Sequence, residues 1–220
     1  INNPNLRPEK NIQYEIGLNQ KLSSNIALKL SAFYKETEDL VQILPTTTDI
    51  KTIALMENGD YGVVKGLDIV FRMRRTNNLA INFDYELQYA DGTGSASGSN
   101  FDIAWQQGTY GNFPKFQKPL AFEQRHTGNL NLDYRYGDDG PGIFKNMGVN
   151  LLARFSSGQR YTRMKIYNSN PYRGLHEKDA DSQKPVSEVM GETMPWNYRF
   201  DLKIDKAFTF GRSRLVVYAT

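Results

Sequence analysis

The sequence contains no cysteine, so neither a disulfide framework nor a thiolate metal site is available, and cysteine usage says nothing of its redox compartment. It has only 2 histidines, His126 and His176, far apart along the chain. Zinc sites usually take three or four protein ligands, so these two do not point to a metal centre. No run approaches the roughly 18 consecutive apolar residues of a membrane helix, which excludes a helical membrane protein. A dominant sign of charge is missing as well. The 27 basic and 24 acidic residues are interspersed, the net charge is +3, and no basic run concentrates the field as a nucleic-acid footprint would. No nucleic-acid partner is expected. The opening Ile1, Asn2, Asn3 and Pro4 form neither a charged nor an apolar part of a secretory signal, so the chain reads as mature or incomplete.

What the sequence does have is tyrosine and phenylalanine, 13 and 12 of them in 220 residues, a composition that favours β structure. The hydrophobic fraction is 39% and the mean hydropathy is −0.59. Those values still suit a membrane barrel, because a spanning strand needs only about 9 to 11 residues, of which alternate ones are apolar.

A period of two runs through the chain. Ile12, Tyr14, Ile16 and Leu18 share one face, with Asn11, Gln13, Glu15, Gly17 and Asn19 on the other. After a turn at Ser23, Ser24 and Asn25, the residues Ile26, Leu28, Leu30, Ala32 and Tyr34 alternate with Ala27, Lys29, Ser31, Phe33 and Lys35. A second hairpin joins Val63, Lys65, Leu67, Ile69, Phe71 and Met73 through Asn77 and Asn78 to Leu79, Ile81, Phe83, Tyr85, Leu87 and Tyr89. The third pairs Leu130, Leu132, Tyr134 and Tyr136 with Met147, Val149, Leu151, Ala153 and Phe155 across a Gly/Asp/Pro turn. The fourth begins at Trp196, continues through Tyr198, Phe200, Leu202 and Ile204, and turns near Gly211 into Leu215, Val216, Val217 and Tyr218.

Connections within hairpins are short, whereas those between hairpins span 38–60, 91–125 and 158–194, long by the standard of compact domains. Tight turns at one end and long loops at the other are a property of outer-membrane barrels. The polar face carries Glu15, Lys29, Asp84, Glu86, Asp133, Arg135, Arg199, Asp201 and Lys203, rows that suit a wide aqueous lumen. Tyr34, Tyr89, Tyr136 and Trp196 sit at strand ends, where an amphipathic ring fits headgroup level. Lys65 and Lys206 fall on the apolar face but near strand ends, where they can snorkel. The fold expected is all-β: an antiparallel transmembrane β-barrel, with about eight meandering strands belonging to a larger barrel. A soluble β-sandwich is the fold-level rival, since alternation alone does not say whether the apolar face meets lipid or a second layer.

Candidate sites are few. Ser156, Ser157 and Gly158 beside Arg160 have a serine nucleophile's composition but no strand-to-helix elbow, and they read as a polar loop start. Gly92, Gly94 and Gly98 among Thr93, Ser95, Ser97 and Ser99 have neither a lysine in phosphate-loop spacing nor a following helix, and they read as external loop. The loop aromatics Trp105, Tyr110, Phe113, Tyr161, Tyr167 and Tyr172, with Arg160, Arg163 and Arg173, are candidates for a ligand vestibule or a partner surface, set against simple loop packing. No catalytic residue, metal ligand or cofactor is expected, and no individual ligand-binding residue is singled out.

The opening Asn3, Pro4, Asn5, Leu6, Arg7, Pro8, Glu9 and Lys10, followed by Tyr14, Glu15, Ile16 and Gly17, resembles the segment leading into a mid-barrel strand of TonB-dependent outer-membrane receptors. Val64, Lys65, Gly66, Leu67 and Asp68 are similar to that family's strand after an extracellular loop, and Gln124, Arg125 and His126 before Thr127 to another strand start. Ser157, Gly158, Tyr161 and Thr162, then Arg199, Phe200, Asp201 and Leu202, resemble later landmarks. SusC-like receptors are one branch to which such a chain could belong. The resemblance implies a closed barrel of about 22 strands around a plug. It also implies residence in the Gram-negative outer membrane, uptake energised by TonB, and a siderophore, cobalamin, glycan or peptide as ligand. Residues 1–220 would then be a partial barrel domain, with the plug, the TonB contact and the remaining strands elsewhere. Expected partners are the outer-membrane bilayer, TonB acting through the plug, and a surface lipoprotein or other envelope protein. Two further readings belong to other classes: a barrel whose loops hold other proteins as a scaffold, and a membrane hydrolase needing a Ser/His pair at the rim, of which none is convincingly placed.

Overall fold

The computed structural model describes residues 3–47, 52–99, 116–163 and 186–220. Its strands are β1 (Lys10–Lys21), β2 (Ile26–Thr47), β3 (Thr52–Thr76), β4 (Leu79–Gly92), β5 (Lys118–Pro119), β6 (His126–Arg135), β7 (Met147–Ser156), β8 (Arg160–Tyr161), β9 (Glu192–Thr193), β10 (Asn197–Phe210) and β11 (Ser213–Ala219). One sheet runs β1-β2-β3-β4-β6-β7-β10-β11, with β5 added to β4, and β8 pairs with β9 apart from it. Every pairing is antiparallel. The meander thus contains the strands expected from the alternation. No helix among the described residues is long and apolar enough to cross a membrane.

Turn chemistry sets the register. Asn77 and Asn78 have φ of 47° and 73°, the paired left-handed conformation of a two-residue hairpin turn whose twist matches the strands, and Thr76 meets Leu79 across it. At the β10–β11 turn, Gly211 has φ of 60°, which glycine reaches without a side-chain penalty. The connection between β6 and β7 is longer and holds a single 3₁₀ turn, Gly142–Phe144.

With the register fixed, apolar residues line up across strands. One row is Leu28, Phe71, Phe83, Leu130, Ala153 and Phe200, and the next is Ile26, Met73, Ile81, Leu132, Leu151 and Leu202. A soluble sandwich would bury these rows against a second sheet. Among the described residues no second layer covers them: Phe200 is 68% exposed and Leu202 51%, and the buried hydrophobic residues are only Val63, Ala90, Leu120 and Ala207. A single curved layer with an open apolar face is stable only when hydrocarbon covers that face.

Aromatic residues mark the limits of that face. Tyr14 and Tyr34 pair at 6.5 Å at one end, opposite Lys65 and Tyr89 along the same row. At the turn end, Tyr134 packs edge-on against Tyr136 at 5.1 Å, and Tyr136 against Phe144 at 5.9 Å. From Leu79 to Tyr89 a strand climbs roughly 33 Å along its own axis, or about 25 Å along the normal at the usual tilt, which matches an outer-membrane apolar band.

One expectation is corrected. The connection expected over 38–60 is largely ordered ladder, because β2 and β3 stay paired from Leu40 opposite Asp60 to Thr47 opposite Thr52. Irregularities between Thr37 and Val41 break the pairing, and Asp39 takes φ of 59° there. Asn58 secures the bend by donating to the Asp39 carbonyl at 2.7 Å and the Arg7 carbonyl at 2.9 Å. Beyond the membrane no hydrocarbon boundary separates the two faces of such a ribbon, so no period of two is imposed on its sequence.

In the intact protein folded into bilayers, Leu151→Arg should cost about 2 to 4 kcal/mol in denaturant unfolding, against about 0 to 1 kcal/mol for Tyr34→Arg at the edge of the band. Equal losses at the two depths would contradict the assignment of the outer face.

Candidate functional site on the lumen face and rim

Opposite the apolar face, the register gathers charged residues into rows. Several of them are ion-paired towards the tight-turn end. Arg72 contacts Asp84 and Arg75 contacts Asp133. Arg135 grips Asp205 through both terminal nitrogens at 3.0 and 3.1 Å and reaches Asp133 through Nε at 3.2 Å. Asn150 bridges Asn131 and Asp133 between the strands. Half-exposed pairs of this kind are each worth up to about 1 kcal/mol. The bidentate Arg135–Asp205 pair, with Asp205 buried, is the best placed to hold β6, β7 and β10 in register.

The other end is built around a carboxylate. The Glu123 side chain is 1% exposed and lies between two guanidinium groups: Arg125 Nε donates to Oε1 at 2.8 Å and Arg160 Nε to Oε2 at 3.0 Å. Arg160, itself 10% exposed, also donates to the Thr193 hydroxyl at 3.0 Å. Ser157 completes the join. Its backbone amide donates to the His126 carbonyl at 2.8 Å, and its hydroxyl accepts the His126 amide at 3.1 Å. Gly158 lies so close to the Met194 backbone that any side chain would collide with it. The chain leaving β7 is therefore tied to the chain entering β6 and to the chain entering β10.

A second buried acid sits on the rim beside β4. Asp60 accepts a hydrogen bond from the Thr93 hydroxyl at 2.8 Å, and Thr93 Oγ1 in turn accepts the Tyr61 amide at 2.9 Å. Burial lowers the pKa of the Lys118 ammonium, and the nearby Asp60 charge pulls it back up. The Tyr61 hydroxyl is pushed above its usual value, chiefly by burial and then by its hydrogen bonds with Glu36 and Tyr34.

The sequence candidates separate accordingly. Ser157, Gly158 and Arg160 belong to the Glu123 join. His126 faces outward, accepting or donating at Nδ1 with the Tyr85 hydroxyl at 2.7 Å and stacking on Trp196 at 5.3 Å. That places its ring in an aromatic cluster with Tyr85, Phe155 and Tyr198, and its Nδ1 is engaged by Tyr85. Of the proposed vestibule residues, Arg163 pairs with Glu192 at 3.2 Å, and Tyr161 lies in β8. Trp105, Tyr110, Phe113, Tyr167, Tyr172, Arg173 and His176 lie outside the described residues. Gly92 ends β4, and Gly94 lies against Asp60. Lys206 reaches the carbonyls of Ile143, at 2.6 Å, and Lys145. Among the described residues no three potential metal ligands cluster. Glu123 carries no periodic signal because it is a single acid in an irregular segment, and Asp60 carries none because it lies where the β2–β3 ladder is interrupted.

Replacing Glu123 by Gln leaves Arg160 buried without its counter-charge, which should cost about 3 kcal/mol locally. Hydrogen exchange on the intact protein should then show roughly 100-fold faster opening of the segments around 120–126 and 157–163, with the β6–β7 ladder unchanged. Unaltered exchange would show that this carboxylate does not secure the rim.

The family model described as "TonB dependent receptor-like, beta-barrel" matches residues 1–217. Among curated proteins, no relative matches significantly. Similar solved structures include the outer membrane transporter YddB from Escherichia coli, at 14% identity and a TM-score of 0.59, covering 92% of this chain and 26% of that one. The FrpB iron transporter from Neisseria meningitidis is similar at 14% identity and a TM-score of 0.55, covering 92% and 25%. The ferric yersiniabactin uptake receptor FyuA from Yersinia pestis is similar at 12% identity and a TM-score of 0.50, covering 96% and 28%. The chain thus spans about a quarter of the length of these proteins. With its outward apolar rows, its charged inner rows and a family match over nearly every residue, the chain belongs to the TonB-dependent receptor β-barrel family of the outer membrane.

Proposed function

We propose that residues 1–220 form part of the wall and external loops of a receptor that takes up a solute across the outer membrane at the expense of energy delivered by TonB. The observation that supports this most is the division of one sheet into a hydrocarbon-facing side and a charged inner side, with the rim joins gathered at the end of the long connections. In this reading β1 and β11 pair with further strands of the intact barrel, which leaves no unpaired backbone in lipid. A plug carried elsewhere in the protein gates the lumen and contacts TonB. The solute is a siderophore, cobalamin, glycan or peptide, selected by the external loops. The role is non-catalytic: the wall confines and positions the solute, and no bond is made or broken in it.

The test uses the full-length receptor in a Gram-negative host. Cells expressing it should accumulate one member of a labelled panel (a ferric siderophore, cobalamin, an oligosaccharide or a peptide) at least tenfold faster than cells lacking it. Deleting TonB should abolish that difference. Uptake that persists without TonB would refute the energised mechanism. Absence of uptake across the panel, with envelope proteins co-purifying on the barrel, would favour the scaffold reading.

A further inference from the structure

The arginines of the inner face differ in their partners. Several arginines of the face meet a carboxylate: Arg72 with Asp84, Arg75 with Asp133, and Arg135 with Asp133 and Asp205. Farther along the rung that starts at Asp84, on β7 and β10, the register does the opposite. Arg154 on β7 stands directly across from Arg199 on β10, and its other neighbour, on β6, is the neutral Asn129. Like charges directly opposite in a ladder are destabilising.

Arg154 has no ion-pair partner among the described residues. Among the described residues Arg199 is held through Nε alone, by both oxygens of Asp201 at 3.1 Å, and its terminal nitrogens make no hydrogen bond. The next carboxylate along the row, Asp84, is one strand beyond Asn129 and is engaged by Arg72. One rung towards the rim, the register places Thr127, Ser156 and Asn197 side by side on the same face. These residues line an open concavity of about 540 Å³, and no carboxylate lines it.

We infer that this two-rung patch on β6, β7 and β10 is an oxyanion-binding subsite of the lumen, taking a carboxylate or phosphate group of the transported solute. The inference rests on the transport reading above. Two planar guanidinium forks converging on one concavity, with amide and hydroxyl donors beside them, are what bidentate capture of an oxyanion requires. Bound anion removes the repulsion between Arg154 and Arg199, so the cross-strand clash becomes an attraction shared by both. Placement supports a solute over a structural ion pair: Arg154 lies two residues from the rim end of β7, and Arg199 two residues from the start of β10, where an incoming molecule arrives first.

The experiment is calorimetric titration of the full-length receptor in neutral detergent with citrate and with inorganic phosphate, at low ionic strength, on the wild type, Arg154→Gln and Arg154→Lys. Saturable binding of either probe is expected. It should be weakened at least tenfold in Arg154→Gln, be partly restored in Arg154→Lys, and fall with added salt. Without probe, the melting temperature of Arg154→Gln should equal or exceed that of the wild type, because a repulsion has been removed. Absence of saturable binding, or equal binding by wild type and Arg154→Gln, overturns the inference. So does a lower melting temperature of Arg154→Gln without probe, which would show that a carboxylate elsewhere in the protein already occupies the arginine. Because binding is read without TonB, failure here with TonB-dependent uptake intact sinks only the subsite, whereas binding without such uptake sinks only the transport reading.

Discussion

Backbone amides and carbonyls in hydrocarbon have no water to pair with, and each one left alone costs several kcal/mol. That constraint shapes everything described here. The antiparallel ladder satisfies those groups strand by strand, and once they are satisfied a side chain can only point to lipid or to the lumen. A one-residue slip would bring Asp133 and Arg135 into hydrocarbon and Leu132 and Tyr134 into water, so the register is held by the two solvents as firmly as by the turns.

Within that frame the charged face works by position. The half-exposed pairs near the tight turns add little individually, but Asp133 and Asp205 each meet an arginine two strands away, which links β3 to β6 across β4 and β6 to β10 across β7. At the rim the problem is different, because long connections must be anchored without a second layer to pack on. Buried acids serve there. Glu123 joins the chain before β6 to the chain after β7, and Asp60 with Thr93 joins the ribbon of β2 and β3 to the end of β4. Both are costly to bury and stable only because their partners are present.

The fold was legible in the sequence wherever the two-solvent rule applied. Strands β4, β6 and β7 follow the alternation of Leu79 to Tyr89, Leu130 to Tyr136 and Met147 to Phe155 closely, and the Asn77–Asn78 turn announces itself by composition. Legibility ended beyond the hydrocarbon boundary. The ribbon of β2 and β3 beyond Leu40 was expected as irregular connection, since its register irregularities and Pro45 interrupt the period. The site was less legible than the fold. Ser157, Gly158 and Arg160 stood out as polar loop residues, but their shared dependence on Glu123 is a matter of three segments meeting, which spacing along one chain does not express. The opposition of Arg154 and Arg199 is likewise invisible until the β7–β10 register is known.

The outward apolar face is the central claim, and site-directed labelling along β4 tests it directly. The 220 residues contain no cysteine, so single substitutions from Leu79 to Tyr89 introduce the only thiol within this segment. With the intact protein in bilayers and a fluorophore on each thiol, brominated lipid should quench positions 79, 81, 83, 85 and 87, and aqueous iodide should quench 80, 82, 84, 86 and 88. Quenching by iodide at every position, or by lipid at the even ones, would contradict the account.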